Sequence, residues 1–486
     1  IILLRRRAES TLAPSVAPGN PAVGTMLPYA PVQMLLFRCN DDLDARMPAA
    51  LVMTSGNVSG APICRSTEDA LREIRSFCDL ILSHNRKIRL RADDSVMDTL
   101  DGAPYMIRRS RGYAPLPFML SGSLKGEVLG IGGELKNTFC PGKDGLLYPS
   151  PFIGDMADLR SVNALRESVK RLCTLLEIQP KLLACDLHPA YNTTAVAAEM
   201  EIPLVKIQHH YAHILSCMAE NDRQEAVIGI SFDGTGYGED GTIWGGEILR
   251  CDWHGFTRLA SVTPFLQPGG DASSREGWRN AASIAAQLFG DEAPLLAENL
   301  GICSSGEAKL IRTMGEKRIN TVVSTSAGRL FDAAAAVAGI CRASTFEGEA
   351  AMKLQFAAET FKGEIPGPVP ESICDGDRRL LDTGALFREL FRMRTSGAAP
   401  EEIAWHFHAS LGAMTAAEAL SQAKNLGIST VAISGGVMQN TLLMKIVTDI
   451  LQSEGLQVLR HSMIPPNDGG ICLGQAAYAM HQLNNH

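Results

Sequence analysis

Apolar residues follow two different periods along most of this chain, and the alternation predicts strands and helices in turn. From about residue 127 onward, apolar runs of strand length occur at 181–187, 226–234, 429–436 and 456–461. The stretches 157–176, 401–425 and 468–483 instead show the spacing of amphipathic helices. The pattern predicts an α/β fold, with sheets flanked by helices.

The first hundred residues have a different pattern. The run "AALVMTSGNVSGAPI" predicts a strand entering a Ser/Gly/Asn loop, and "STEDALREIRSFCDLIL" predicts an amphipathic helix capped by Ser66. A break rich in Pro, Gly and Ser follows at 114–126. We therefore predict two domains, residues 1–118 and residues 119–486, each long enough to bury its own core.

Composition excludes several classes of protein. A hydrophobic content of 45% describes a soluble globular protein, and a formal net charge of −8 argues against a general nucleic-acid binder. No apolar window approaches the ~20 residues of a membrane span. The twelve cysteines are scattered without a CxxC pair, which predicts reduced thiols in a cytoplasmic protein. Because the chain lacks an initiating Met, we expect a fragment that starts inside a domain.

The stretch "QHHYAHILSCMAE" holds three of the eleven histidines. His209 and His213 are four residues apart, so on a helix they share a face and could bind one cation, whereas His210 lies about 100° round from His209. A polar start to an ordinary amphipathic helix is the alternative. Asp468 in "IPPNDGG" is the third candidate ligand, although an Asp at this place also fits a plain helix N-cap.

Two further groups of polar residues follow strand-like runs. Asp186 and His188 in "CDLHPAYNTT" could position a ligand or contact substrate, and an Asx-type turn is the alternative. Four glycine-containing loops follow at 130–139, 231–241, 325–335 and 433–440. Such loops let backbone N–H groups approach phosphates, although a single one is often only a tight turn. None has the spacing of a P-loop or a dinucleotide fingerprint.

Taken together, these motifs resemble a known family. "HHYAH", "SFDGTGYG", "ISGGVMQN" and "NDGG" resemble the carbamoyltransfer domain shared with tRNA threonylcarbamoyl transferases, which has the two-lobed fold of sugar kinases, actin and Hsp70. "TSGNVSG", "RADDSV" and "YMIRRSRGYAPLP" resemble the YrdC-like threonylcarbamoyl-AMP synthase domain. The combination is similar to the hydrogenase maturation carbamoyltransferases and covers essentially the whole chain.

The resemblance implies an activity. Carbamoyl phosphate gives carbamate, ATP adenylates the carbamate, and the carbamoyl group passes to the C-terminal cysteine thiol of the partner protein HypE, for cyanide ligand synthesis. The implied cofactors are ATP and a divalent metal, which could be Zn, Fe or Mg.

The resemblance also implies site residues. His209, His213 and Asp468 would be the metal ligands. The other catalytic candidates are Lys136, Asp186 and His188. The nucleotide-binding candidates of the first domain are Ser55, Asn57, Ser95 and Arg109. Those of the second domain are Asn137, Asp233, Gly234, Thr235, Gly236, Asp332, Glu349, Gly435, Gly436 and Asn440.

The chain also departs from the family pattern. The acylphosphatase-like domain, the zinc-finger domain and the basic Lys-x-Arg element that precede this region in the family are absent, so we expect carbamate adenylation to be impaired. Three rival interpretations are a tRNA threonylcarbamoylation enzyme, a kinase or ATPase of the actin-like fold, and a non-enzymatic scaffold.

Overall fold

The computed structural model describes residues 1–38, 47–364 and 370–484. The first part of the chain forms a four-stranded sheet in the order β2–β1–β3–β4 and two short helices. These elements are β1 (Ile2–Arg5), β2 (Ala22–Thr25), α1 (Pro31–Phe37), α2 (Thr67–Glu73), β3 (Val96–Leu100) and β4 (Ala103–Arg108). Helix α2 has the predicted cap, because the Ser66 side chain accepts a hydrogen bond from the Asp69 N–H.

The strand predicted for "AALVM" at 49–53 is wrong. These residues have no regular secondary structure, and both Val52 and Met53 are exposed. An apolar run forms a strand only where a neighbouring strand supplies its backbone partners. None of the strand pairings within the described ranges involves this run.

A second sheet of six strands has the order β10–β9–β6–β7–β8–β5. Its elements are β5 (Phe118–Met119), β6 (Glu127–Gly130), β7 (Cys140–Lys143), β8 (Leu146–Leu147), α3 (Leu159–Leu175), β9 (Leu182–Asp186), α4 (Asn192–Glu199), β10 (Leu204–Ile207) and α5 (His209–Glu220). Strand β9 is buried along its whole length, as expected for a continuous apolar run between parallel neighbours.

A third sheet contains the remaining strands, with the path β16–β17–β13–β12–β11–β18–β19 and β14 and β15 at its side. Its strands are β11 (Val227–Tyr237), β12 (Ile243–Asp252), β13 (Gly255–Val262), β14 (Phe265–Pro268), β15 (Thr321–Ser324), β16 (Ile373–Asp375), β17 (Arg378–Leu381), β18 (Thr430–Ser434) and β19 (Gln457–Leu459). Its helices are α6 (Ala272–Arg275), α7 (Gly277–Phe289), α8 (Ala293–Asn299), α9 (Ser305–Glu316), α10 (Ala327–Val337), α11 (Glu349–Thr360), α12 (Thr383–Thr395), α13 (Pro400–Leu426), α14 (Thr441–Ser453) and α15 (Ile471–Asn484).

Helices α5 and α15 connect the second and third sheets. Helix α5 packs against β11, β12 and β18, whereas α15 packs against β6, β7 and β9 and against α5 itself. Gly474 permits this close crossing, since a Cβ at this position would lie 2.1 Å from the Ala212 carbonyl oxygen. The start of α15 is therefore pressed onto α5, and the "NDGG" turn arrives beside the "HHYAH" motif.

The second and third sheets, with their helices, confirm the predicted α/β class and the two-lobed second region. Among the helices of the described ranges, none combines the length and the apolar content needed to cross a membrane.

Candidate metal and nucleotide site

Helix α5 begins at His209, and its geometry separates His210 from His209 and His213. The Gln208 side chain caps the helix by accepting a hydrogen bond from the Tyr211 N–H at 2.9 Å. The Gln208 amide nitrogen also lies 3.1 Å from His210 Nδ1 and donates to the Tyr237 carbonyl. Gln208 thereby holds the His210 ring, while His209 and His213 share a different face of the helix.

Four side chains converge on this face. The Nε2 atoms of His209 and His213 both lie 3.7 Å from Asp468 Oδ1. They lie 3.2 and 3.7 Å, respectively, from Asp233 Oδ2. All four ligand atoms lie within 4.8 Å of one another, and the side chains are buried or nearly so.

The donor set fits a divalent cation. Ligands of a tetrahedral ion with bonds of ~2.1 Å are separated from one another by about 3.4 Å, close to the distances between imidazole and carboxylate atoms here. His213 Nε2 is buried without a hydrogen-bond partner. His209 Nδ1 lies 2.7 Å from Asp186 Oδ2, so a proton shared there leaves the Nε2 lone pair facing two carboxylates. A cation at the centre would satisfy all of these atoms.

The protonation equilibria reflect this crowding. Burial alone would lower the pKa of His209, but Asp186 and Asp233 raise it well above its ordinary value. Burial and the nearby Asp233 charge raise the pKa of Asp468 to about 7, against the opposing effect of His209. Burial lowers the pKa of His213. Two carboxylates this close are costly without positive charge between them.

The glycine loops at 231–241 and 433–440 meet beside the cluster because β11 and β18 are parallel neighbours. The Gly436 N–H donates to Asp233 Oδ1 at 3.0 Å, so one carboxylate oxygen binds the loop while the other faces the histidines. A Cβ on Gly236 would lie 2.4 Å from His210 Cε1, which gives this glycine a packing role.

Gly435 has a structural role that sequence reasoning missed. Its φ is +101°, and a Cβ would lie 2.1 Å from the Phe232 carbonyl oxygen. Any side chain here would displace the backbone of Phe232, so a Gly435→Val variant would not test nucleotide binding alone.

Lys136 and Asn137 lie on the loop after β6, next to Asp468. The Lys136 ammonium binds both carboxylate oxygens of Glu347, at 2.6 and 2.7 Å. Burial alone would lower the pKa of Lys136, but Glu347 and Asp468 raise it. Asn137 is fully buried and donates to the carbonyls of Ile131 and Gly133, so its amide supports the loop.

Gly234, Thr235 and Asn440 are further nucleotide-binding candidates of the second region. Thr235 is exposed, and the Gly234 carbonyl accepts a hydrogen bond from Ser326. Asn440 caps α14 through the Leu443 N–H and contacts His408.

The pKa values of Asp332 and Glu349 shift in opposite directions. Asp332 is buried, which raises its pKa, and its Oδ2 lies 3.0 Å from Arg329 Nη1. Glu349 binds Lys353 and Thr345, which lower its pKa to about 2. Arg329 was not among the sequence candidates. Its Nη1 pairs with Asp332, its Nε is buried without a hydrogen bond, and a Cβ on Gly234 would lie 3.6 Å from its Nη2.

The candidates of the first region contact other groups of the protein or solvent. Ser55 is exposed, and the Asn57 amide donates to the carbonyls of Val58 and Ala61. The Ser95 hydroxyl donates to the Arg111 carbonyl and accepts from the Ser110 N–H.

The Arg109 guanidinium donates to the carbonyls of Pro149, Tyr113 and Leu116. Its hydrogen bonds are to protein backbone, where the sequence predicted phosphate contacts.

Asp186 and His188 form the outer edge of the cluster. Asp186 binds His209 through one oxygen and accepts the His188 N–H through the other, at 2.9 Å. The His188 ring stacks on Tyr191 with a centroid distance of 4.1 Å. Both sequence alternatives therefore have support, since the Asx-type turn also orients a candidate ligand.

A cavity of about 190 Å³ lies between the first region and the cluster. Ile107, Arg108 and Arg109 line it from the first region, and Lys136, Asn467 and Gly469 are among its lining residues from the second. Asn467 and Gly469 flank Asp468, so the cavity adjoins the cluster.

Asp233 is a candidate metal ligand that sequence reasoning missed. It was a nucleotide candidate, yet its Oδ2 belongs to the metal-compatible cluster. The available signal was its place after a buried apolar run and directly before Gly234, inside β11.

Comparison with known proteins identifies the family. Residues 229–475 match the family model described as "Carbamoyltransferase, Kae1-like Domain, second subdomain", residues 123–220 match "HypF Kae1-like domain", and residues 1–110 match the Sua5/YciO/YrdC model described as "Telomere recombination". The first of these models covers half of the chain. The chain belongs to the HypF family.

Full-length relatives agree with this assignment. The chain is 38% identical to "Carbamoyltransferase HypF" of Rhizobium leguminosarum bv. viciae over 100% of this chain and 62% of that protein. It is 35% identical to a "Carbamoyltransferase HypF homolog" of Cupriavidus necator over 74% of this chain and 93% of that protein. The chain thus spans less than two thirds of the length of the Rhizobium relative.

Two solved structures have the same fold. A full-length HypF in its phosphate- and nucleotide-bound form superimposes with a TM-score of 0.92 at 36% identity, covering 100% of this chain and 74% of that one. HypF from T. kodakarensis superimposes with a TM-score of 0.90 at 34% identity, covering 100% of this chain and 64% of that one.

Proposed function

We propose that this HypF-family chain is a carbamoyltransferase of [NiFe] hydrogenase maturation. It would transfer a carbamoyl group from carbamoyl-AMP to the C-terminal cysteine thiol of a HypE-like acceptor protein. The observation that carries the proposal is the buried cluster of two imidazoles and two carboxylates beside two glycine loops. This combination suits a substrate that contains both a phosphate and an acyl carbonyl.

We propose a division of labour at the predicted boundary. Residues 1–118 would belong to the domain that adenylates carbamate with ATP, releasing pyrophosphate. Residues 119–486 would bind the adenylate and transfer its carbamoyl group, releasing AMP. The cavity between Arg109 and Lys136 supports this order of steps, because a labile adenylate needs a route that excludes bulk water.

His209, His213, Asp233 and Asp468 would hold the divalent metal. A bound metal supplies Lewis acidity and binds phosphate oxygens. Asp186 would keep the His209 ring oriented through its Nδ1. The N–H groups of the loops 231–241 and 433–440 would bind phosphate, and Arg329 would add positive charge beside Gly234.

Lys136, which lies near Asp468, would be a second positive charge for the leaving phosphate. Its Glu347 partner is 63% exposed, so the ion pair costs little to exchange for a substrate phosphate. The acceptor thiol comes from another protein, so none of the cysteines in this chain is required as a nucleophile.

The test uses two reactions with a purified acceptor that ends in cysteine. One reaction receives carbamoyl-AMP directly, and the other receives ATP with ammonium bicarbonate, which contains carbamate. Intact-mass spectrometry should find one added carbamoyl group on the terminal cysteine in the first reaction, and His213→Ala should abolish it. An unmodified acceptor in that reaction, with a folded chain, would contradict the transferase assignment.

A third reaction addresses the rival tRNA activity. The chain is incubated with threonine, bicarbonate, ATP and tRNA. We expect no threonylcarbamoyl adenosine, and its formation would favour the tRNA enzyme instead.

A further inference from the structure

Glu220, the last residue of α5, binds the backbone that leads to Asp468. Its Oε1 accepts hydrogen bonds from the N–H groups of residues 462–464, at 3.0, 2.6 and 3.2 Å. Its Oε2 lies 2.6 Å from His461 Nδ1. One carboxylate thus contacts four successive residues, which restricts the path of this segment.

His461 extends the network to the third sheet. Its Nε2 lies 2.9 Å from Ser434 Oγ, so the three groups have the spacing of a Ser-His-carboxylate triad. Ser434 is fully buried at the end of β18, however, and a substrate could not reach its hydroxyl. The next residue, Gly435, donates its N–H to the Pro466 carbonyl at 2.9 Å. The network therefore fixes backbone and does not provide a nucleophile.

Helix α5 therefore positions the metal-compatible cluster from both of its ends. Its first five residues include His209 and His213, and its last residue fixes the segment that ends at Asp468. Metal ligands must be held to within about 0.5 Å of their productive geometry, and partners behind the ligands usually do this. A helix is a rigid connector, so it sets the distance between the two imidazoles and the Asp468 turn.

We propose that Glu220 is a positioning residue for Asp468, acting through His461 and the N–H groups of residues 462–464. This inference rests on the proposed metal site. It deepens that proposal, because it assigns the arrangement of the cluster to a group that cannot touch the metal or the substrate.

The experiment measures Co²⁺ binding to the full chain by titration and by the visible absorption of the bound ion. Glu220→Gln should weaken Co²⁺ binding by about 10–100-fold, the usual effect of losing a partner behind a ligand, and should change the absorption bands. His461→Gln should act in the same direction. Asp382→Ala is the matched control, since it removes the cap of α12 without touching residues 460–468.

The outcomes separate the two proposals. If the unmodified chain binds no Co²⁺, the metal site itself is wrong. If the unmodified chain binds Co²⁺ and both network variants match Asp382→Ala in affinity and spectrum, the positioning role of Glu220 is overturned while the metal site stands. If Glu220→Gln does not fold, His461→Gln decides.

Discussion

The candidate site residues of the two regions of this chain differ in how they are arranged. Around α5, buried polar atoms face one another without complete hydrogen bonding, as His213 Nε2 does. In the first region, the Ser95 hydroxyl and the Arg109 Nη atoms donate to backbone carbonyls, and Ser55 is exposed. Asn57 Oδ1 and Arg109 Nε are also buried without a hydrogen bond. Among the described residues, only the cluster at α5 brings the ligand atoms of four His and Asp side chains within 4.8 Å of one another. The comparison favours the second region as the preformed site.

The largest expected effect comes from removing a ligand at the α5 cluster. His213→Ala should abolish binding of Zn²⁺ or Co²⁺, because two carboxylates and one imidazole remain at a site arranged for four ligands. Calorimetric titration of the full chain measures it. His210→Ala is the control and should retain metal binding, since Gln208 holds its ring away from the cluster. Equal losses in both variants would remove the distinction between the two histidines.

Substitution of a glycine by alanine should also lower stability to a different extent in the two regions. Gly435→Ala would place a Cβ 2.1 Å from the Phe232 carbonyl oxygen at a φ of +101°, whereas Gly60, with φ +76°, has no atom within 4 Å of such a Cβ. We expect Gly60→Ala to cost about 1–2 kcal/mol from backbone strain alone. Gly435→Ala should cost clearly more, seen as a larger fall in melting temperature. Similar melting temperatures for both variants would mean that the backbone at Gly435 relaxes easily.

Two serines of the first region provide a smaller contrast. Ser95→Ala leaves the buried Ser110 N–H without its acceptor and should cost about 1–3 kcal/mol. Ser55→Ala should change stability by less than about 0.5 kcal/mol, because the side chain is exposed. Urea denaturation monitored by far-ultraviolet circular dichroism measures the free energy of unfolding of both variants. If Ser55→Ala were instead the more destabilising variant, the Ser55 loop would have internal partners that this structure does not contain.

The smallest effect concerns pH. Lys353 and Thr345 hold the pKa of Glu349 at about 2, below the ~4.3 of an unfolded glutamate. A lowered folded-state pKa stabilises the protein above the unfolded value, and this contribution is lost as the pH falls from about 4.3 through about 2. Glu349→Gln should therefore lower the melting temperature at pH 7 and matter less towards pH 3. A pH-independent difference would show that the charge of Glu349 is not the cause.

Local pattern was enough to predict several parts of this protein. The α/β class, the start of α5 at "HHYAH" and the cap at Ser66 all depend on periodicity and on neighbours within four residues. The apolar run at 49–53 does not form a strand, because a strand needs a hydrogen-bonding partner elsewhere in the chain. Helix α2 also ends at Glu73, earlier than the apolar spacing suggested.

The sequence by itself determined that His209 and His213 share a helix face, because 3.6 residues per turn bring positions four apart together. Only the tertiary structure decided that Asp233 and Asp468 join them. The parallel pairing of β11 with β18 aligns the ends of distant segments, and the close crossing of α15 over α5 at Gly474 brings in the Asp468 turn. Neither contact follows from local propensity, since each depends on how separate elements pack.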